Sequence, residues 1–544
     1  MIRAILLGAM AMCAAAASGQ EFGYMPLKDG NRLAYTLHRP AKEGRFPTLL
    51  IYNMYDASAI TPSWNQTETS EITDYLERGY AVMGLNVRGT GCSTGEEDAL
   101  HAAQVGRDGA EAVEWIARQS WSDGNVGMFG HSGSGLTQFY VAAQGPPHLK
   151  AIIPGAAPAD MYRDLAYPGG LFNYAFLYHW TEDAQPASSQ RAAQVHIGAG
   201  DLECAARVNK RPKSGLYSQM LSHTRADDWW ADRSLDPVAS RIRTPTYIVF
   251  GWQDQNVASR AVYVFDKLAG PKRMLLAEEG HSFYIRSLEV RREKLRFFDH
   301  WLKGVRNSVM ENKPVQVWLS MKGNVERIPD RVVHLDRLPA SGTRWNKLYL
   351  SADRRLLPHP AEEPASLEYL YPLGSAFVYG GSSYPHTPFR IGSLVFRSEP
   401  LSKPLTLLGP VAARLFVSST DSDTSLQLVL NEVNPRGERK YLQRGYQLAS
   451  MRDLDNSRTS EAMPYYRFQD RQPLTPGKIT ALPVELNATG SILQAGSILE
   501  LIIMAPNMAP EPLGQWGFLP LPMARNRVHF SAPHPSHIVM AELQ

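Results

Sequence analysis

The residues with the most chemical content are a serine, an aspartate and a histidine in the first half of the chain. A short apolar run at 126–129 continues into Gly130-His131-Ser132-Gly133-Ser134-Gly135 and then into a helix-compatible stretch at 136–144. A serine held at a sharp strand-to-helix turn needs small neighbours, because larger side chains would collide where the backbone folds back. Gly130 and Ser134 meet that need around Ser132. The start of the following helix also favours negative charge developing beside it. A serine hydroxyl is a weak nucleophile at neutral pH, so it needs a base, and the base needs a third group to hold its tautomer. The strand pattern 246–250 runs into Gly251-Trp252-Gln253-Asp254, and 273–277 runs into Glu278-Glu279-Gly280-His281-Ser282. Asp254 and His281 therefore fall in successive loops after strands, 27 residues apart. This order predicts acyl transfer, with Ser132 attacking a carbonyl, His281 moving the proton and Asp254 orienting His281.

These three residues need a scaffold that brings the ends of several strands together. From about 45 to 305, aliphatic and β-branched runs at 48–52, 81–87, 126–129, 150–153, 246–250 and 273–277 alternate with amphipathic stretches such as 105–118 and 288–302. Alternating strand and helix predicts a mostly parallel sheet covered by helices on both faces. One interval, 157–241, breaks the rhythm. It is rich in aromatic and charged residues and is expected to be a helical cap inserted over the carboxyl edge of the sheet, where such sheets bind ligands. Its aromatics, including Tyr162, Phe172, Tyr174, Phe176, Trp229 and Trp230, suit either a pocket lining or the cap's own core. Beyond about 310 come short strand patterns separated by Gly and Pro, at 315–319, 347–350, 394–396, 405–408, 413–417, 426–433 and 498–504. That texture predicts an all-β sandwich. The expected division is 1–19 a removable leader, 20–310 the α/β part with its cap, and 311–544 a linker and the sandwich.

Composition narrows the function classes. At 544 residues the chain is too long for a peptide hormone or a lone binding module, and 44% hydrophobic with 20% charged residues describes a packed protein. A net charge of +3 over that length leaves no footprint for nucleic acid. Gly89-Thr90-Gly91 with Gly95 follows a strand, yet its spacing is not that of a dinucleotide-binding loop. Arg3, the apolar run 4–17 and the small residues Ala17, Ser18 and Gly19 have the pattern of a secretory signal peptide, so the mature protein is expected to be secreted or periplasmic. No later stretch reaches the length of a membrane span. Cys92 and Cys204 remain in the mature chain, a count compatible with one disulfide and unlike a structural zinc site. No metal or cofactor is expected, the partner is a small-molecule substrate, and self-association is left open.

Longer segments carry a family resemblance. Val87-Arg88-Gly89-Thr90-Gly91 with Ser93 and Gly95, the run 104–133 through the serine turn, and Gly251-Trp252 with Asp254 resemble the CocE/NonD family of α/β-hydrolases. This group includes cocaine esterase, α-amino-acid ester hydrolases, cephalosporin acylases and X-prolyl dipeptidyl peptidases. Pro400-Leu401, Gly409-Pro410, 421–424, 428–433 and Gly445 resemble its C-terminal jelly-roll domain. The resemblance implies Ser132, His281 and Asp254 as nucleophile, base and acid. It also implies an oxyanion hole from a tyrosine hydroxyl, here Tyr55 in Asn53-Met54-Tyr55-Asp56, with the backbone N–H of Gly133. The chain departs from the family pattern in having Gly133 in place of tyrosine, Asn86 in place of aspartate, and no tryptophan in the histidine loop. The resemblance implies an esterase or acylase of esters, amino-acid esters or acylated amines. Two other readings remain: an X-Pro dipeptidyl peptidase, and a non-catalytic binding protein that uses the sandwich. The cap carboxylates Asp160, Asp201, Glu203, Asp227 and Asp228 could meet a substrate's ammonium group or serve only as solvated surface.

Overall fold

The computed structural model describes residues 20–57, 66–98, 100–211, 214–258, 260–321, 328–373, 391–508 and 516–544. The expected leader, 1–19, lies outside the described residues. Ten strands form the first sheet: β1 (Gln20–Pro26), β2 (Arg32–His38), β3 (Phe46–Asn53), β4 (Ala81–Asn86), β5 (Ser122–His131), β6 (Leu149–Gly155), β7 (Thr246–Gly251), β8 (Lys272–Ala277), β9 (Val315–Met321) and β10 (Pro329–Leu335). Their order is β1-β2-β4-β3-β5-β6-β7-β8-β9-β10. From β4 to β9 every pairing is parallel, and β1, β2 and β10 close the two edges in antiparallel fashion.

All six residues of β4 and of β7 are buried, which is why these strands read as continuous apolar runs. Successive side chains enter opposite cores. Leu50 and Met83 pack on one face with Val105, Val113 and Leu136, from α2 (Ala102–Ala117) and α3 (Gly133–Ala142). Leu49 and Val82 pack on the other with Tyr75, Phe297 and Phe298, from α1 (Gln66–Glu77) and the helix Leu288–Lys303.

The run 315–319, expected to open the sandwich, belongs instead to this first sheet. A chain leaving β8 through the helix Leu288–Lys303 completes a crossover, and β9 then pairs in parallel with β8 and covers its free edge. Between β6 and β7 lie the helices Tyr174–Tyr178, Gln185–Gly198, Leu202–Lys210, Leu216–Ser222 and Asp228–Ala231, with π-helical turns at Tyr162–Ala166 and His179–Ala184. Among the described residues this interval holds no strand.

The C-terminal part contains two antiparallel sheets. One has the strand order Leu356–Leu357, Arg344–Leu350, His537–Glu542, Leu405–Ser419, Ala524–Phe530 and Ala365–Tyr371, with Thr480–Leu493 also paired to Leu405–Ser419. The other runs Ser393–Arg397, Ile498–Met504, Ser425–Val433 and Arg439–Leu448. Their facing side chains, among them Phe396, Leu407, Leu428, Leu501 and Ile538, make a separate core. The runs 405–408 and 413–417, read as two strands around Gly409-Pro410, form one 15-residue strand. Its register shifts between Pro410 and Ala412, and a proline without an N–H is tolerated in a strand at such a bulge.

Candidate active site

β5 delivers Ser132 at the carboxyl edge of the parallel sheet. Its backbone is at φ 58° and ψ −125°, a left-side conformation that costs a non-glycine residue about 1–3 kcal/mol. Local bonds enforce it. The Ser132 N–H donates to the Gly155 carbonyl at 2.8 Å, and the Ser132 carbonyl accepts from the N–H groups of Gly135 and Leu136 at 2.9 and 3.0 Å. Gly130 has φ 143°, and a Cβ there would lie 2.6 Å from Ser134 Oγ, so the turn requires glycine at that position. Ser132 thus sits at the start of α3, where the helix N-terminus faces it.

The acid follows β7. Asp254 is buried, and both carboxylate oxygens are engaged. Oδ1 accepts from the N–H groups of Asn256 and Val257 at 2.8 and 2.9 Å, and Oδ2 lies 2.7 Å from His281 Nδ1. A buried carboxylate accepts only, so His281 donates from Nδ1 and its Nε2 is left as the proton acceptor. The His281 ring lies 5.5 Å, centroid to centroid, from that of His131, the neighbour of Ser132. Burial, and then the nearby charges of His281 and Lys294, push the His131 pKa down to about 3. His131 is therefore neutral at physiological pH.

Tyr55 comes off the end of β3. Its N–H donates to Asn53 Oδ1 and its carbonyl accepts from Asn86 Nδ2, each at 2.8 Å. An ionised aspartate at position 86 has no proton to give to that second bond. Burial pushes the Tyr55 hydroxyl above the usual phenol pKa, while hydrogen bonds with Trp180, Ser132 and the Gly133 backbone pull it back. The phenol is therefore next to both Ser132 and Gly133. Gly133 leaves just enough room for this: a Cβ there would meet Met54 Cε at 3.0 Å and Tyr55 Oη at 3.1 Å.

Four of the five cap carboxylates are occupied by structural duties. Asp160 pairs with Arg163, and Glu203 with Arg32 and Arg207. Asp201 and Asp227 accept from the N–H groups of Cys204 and Trp230 at their helix starts, and Asp227 also contacts His223. Asp228 lies exposed in the first turn of its helix. Of the cap aromatics, Tyr162 and Trp230 are core residues, 0% and 1% exposed.

Sequence reasoning missed Trp180, whose indole Nε1 donates to Tyr55 Oη at 2.8 Å. It also missed three donors from the C-terminal part, two of them on the strand Arg439–Leu448. Gln443 Nε2 bonds the Trp252 carbonyl at 3.0 Å, Arg444 Nη2 the Gln255 carbonyl at 2.9 Å, and Trp516 Nε1 the Asn256 carbonyl at 3.1 Å. All three carbonyls belong to the loop that carries Asp254. Cys92 and Cys204 are joined in a disulfide.

Comparison with known proteins bears on the fold and on the class of enzyme. Residues 29–283 match the model for X-Pro dipeptidyl-peptidase (S15 family), and residues 307–539 that for the X-Pro dipeptidyl-peptidase C-terminal non-catalytic domain. A cocaine esterase from Rhodococcus sp. (strain MB1 Bresler) is 28% identical, covering 95% of this chain and 97% of its own. Among solved structures, a CocE/NonD family hydrolase from Staphylococcus aureus superposes with a TM-score of 0.81 at 21% identity, covering 96% of this chain and 93% of its own. An α-amino acid ester hydrolase gives 0.77 at 20% identity, covering 97% and 98%. A serine turn at the sheet edge, an S15-type catalytic part and its C-terminal companion domain together place the chain in the CocE/NonD family of α/β-hydrolases, as a serine hydrolase of ester or amide bonds.

Proposed function

We propose that the chain is an exported esterase or acylase in which Ser132 attacks the carbonyl, His281 takes its proton and returns it to the leaving group, and Asp254 holds the imidazole and stabilises its charged form. The Tyr55 hydroxyl and the Gly133 N–H receive the oxyanion, and water then releases the acyl group by the same proton path. The 2.7 Å Asp254–His281 contact carries this reading, because it fixes the one tautomer that leaves Nε2 free to act as base.

Esters and acylated amines are favoured over X-Pro peptides by the state of the cap carboxylates. A dipeptidyl peptidase needs an anionic subsite for a free amino terminus; Asp160, Asp201, Glu203 and Asp227 are bound to cations or helix N–H groups instead, and Asp228 lies exposed in the first turn of its helix. Export is supported by the leader pattern at 1–19 and by the Cys92–Cys204 disulfide, which persists in oxidising compartments.

A fluorophosphonate probe tests the assignment. Wild type is expected to be labelled and Ser132→Ala to be blank. An unlabelled wild type overturns the enzyme reading, leaving the binding-protein alternative, and equal labelling of both overturns Ser132. On a panel of aryl esters, acyl amides and X-Pro anilides, activity confined to the anilides would favour the peptidase.

A further inference from the structure

We propose that Trp180 is a positioning residue for oxyanion stabilisation: its indole N–H fixes the Tyr55 hydroxyl so that the phenol proton points at the carbonyl oxygen under attack. This rests on the acyl-transfer reading above and adds to it a residue from the cap.

The argument begins with donor inventory. An indole nitrogen only donates, so in the 2.8 Å contact the phenol oxygen must be the acceptor. The single phenol proton is then directed away from Trp180, and Ser132, whose hydroxyl can accept it, is the other side chain bonded to the phenol. Among the described residues, Trp180 is the donor-only side chain hydrogen-bonded to this hydroxyl. The Asn53 and Asn86 bonds hold its backbone; rotation of the O–H remains. Trp180 is itself fixed. It lies in the π-helical turn His179–Ala184, stacks on Phe176 with centroids 6.3 Å apart and planes 17° apart, and is followed by Thr181, whose Oγ1 donates to the Leu177 carbonyl at 2.8 Å. A donor already bonded to the phenol oxygen also makes the phenol a stronger donor in turn, because hydrogen bonds in a chain polarise one another. The gain grows as negative charge develops on the substrate oxygen, so it appears in the transition state more than in the bound substrate.

Steady-state hydrolysis of p-nitrophenyl butyrate by full-length Trp180→Phe tests the idea, because phenylalanine keeps an aromatic ring and removes the donor. The expected result is a kcat lowered about three- to tenfold with KM within about twofold. Inhibition by phenylboronic acid, which forms a tetrahedral adduct on the serine, is expected to weaken by a similar factor. In a Tyr55→Phe background the same substitution is expected to cost nothing further. An equal loss in both backgrounds, or a rise in KM with kcat unchanged, would overturn the proposal, since packing alone accounts for either. Should Trp180→Phe fold poorly, replacing the indole at 180 by benzothiophene removes the N–H and keeps the shape; full activity in that protein overturns the proposal. Fluorophosphonate labelling separates the two levels. Labelled enzymes with unchanged kcat defeat the role of Trp180 alone, whereas an unlabelled wild type defeats the acyl-transfer reading and this role with it.

Discussion

Ser132 and His131 occupy one turn and face opposite demands. Ser132 is held in a strained conformation, while the half-buried His131 stacks against Tyr284 with planes 16° apart. A histidine pushed down to about 3 makes folding depend on pH with a definite sign. In the unfolded chain residue 131 takes up a proton near pH 6.5, which the folded state refuses until about pH 3. Protons therefore bind the unfolded state preferentially across that window, and stability falls as pH drops from 6.5 toward 3. At about 1.4 kcal/mol per pH unit, the cost reaches roughly 3 kcal/mol at pH 4. His131→Phe keeps a ring against Tyr284 and removes the titration. Urea denaturation at pH 7 and pH 4 is expected to show a smaller acid loss in this variant than in wild type. Parallel losses in the two proteins would show that other groups carry the acid sensitivity.

At the level of strands and loops, the geometry of the proposed catalytic site depends on where each strand ends. Ser132, Asp254 and His281 were legible because each follows an apolar strand run within a few residues, so a local pattern places all three on the same sheet edge. What the sequence did not reveal is long-range. The Trp180–Tyr55, Gln443–Trp252 and Trp516–Asn256 bonds join residues 125, 191 and 260 positions apart, and no periodicity encodes such meetings. β1 went unread because as an edge strand it buries only Met25, and β9 was read among the sandwich strands, although it pairs with β8, because a buried parallel strand and a sandwich strand share the same apolar signature. The acid loop shows what those distant contacts do. Gln443 donates to the Trp252 and Ala488 carbonyls at 3.0 and 2.8 Å from the strand Arg439–Leu448. Gln443→Leu leaves two carbonyls without this donor at a buried position, which costs about 1–3 kcal/mol. Because one of them belongs to the Asp254 loop, the expected outcome is a lower urea midpoint together with a reduced kcat. A lower midpoint with unchanged kcat would mean that the C-terminal sheets support the fold without steadying the acid.

Over the whole molecule, the cap is tied to the sheet both covalently and by a set of hydrogen bonds, and the two kinds of tie act on different states. The Cys92–Cys204 disulfide joins the loop after β4 to the helix Leu202–Lys210, across 112 positions that include the serine turn. The hydrogen bonds seat the cap in the native state. Ser188 Oγ accepts from the Asp56 N–H at 3.0 Å, Ser189 Oγ from the Gly91 N–H at 2.7 Å, Gln185 donates to the Met54 carbonyl at 3.1 Å, and Arg207 and Arg211 donate to the Cys92 and Gly91 carbonyls at 2.8 Å. Two of these, at Met54 and Asp56, flank Tyr55, so the cap holds the tyrosine proposed for the oxyanion hole without help from the disulfide. The cross-link instead limits the unfolded chain, and closing a loop of that length is worth up to about 5 kcal/mol. The double variant Cys92→Ser/Cys204→Ser is therefore expected to unfold at a markedly lower urea concentration, while at 25 °C, well below its midpoint, its kcat on p-nitrophenyl butyrate stays within about twofold of wild type. The reverse result, a large fall in kcat with little change in the midpoint, would mean that the disulfide shapes the folded site and that the hydrogen bonds alone do not seat the cap.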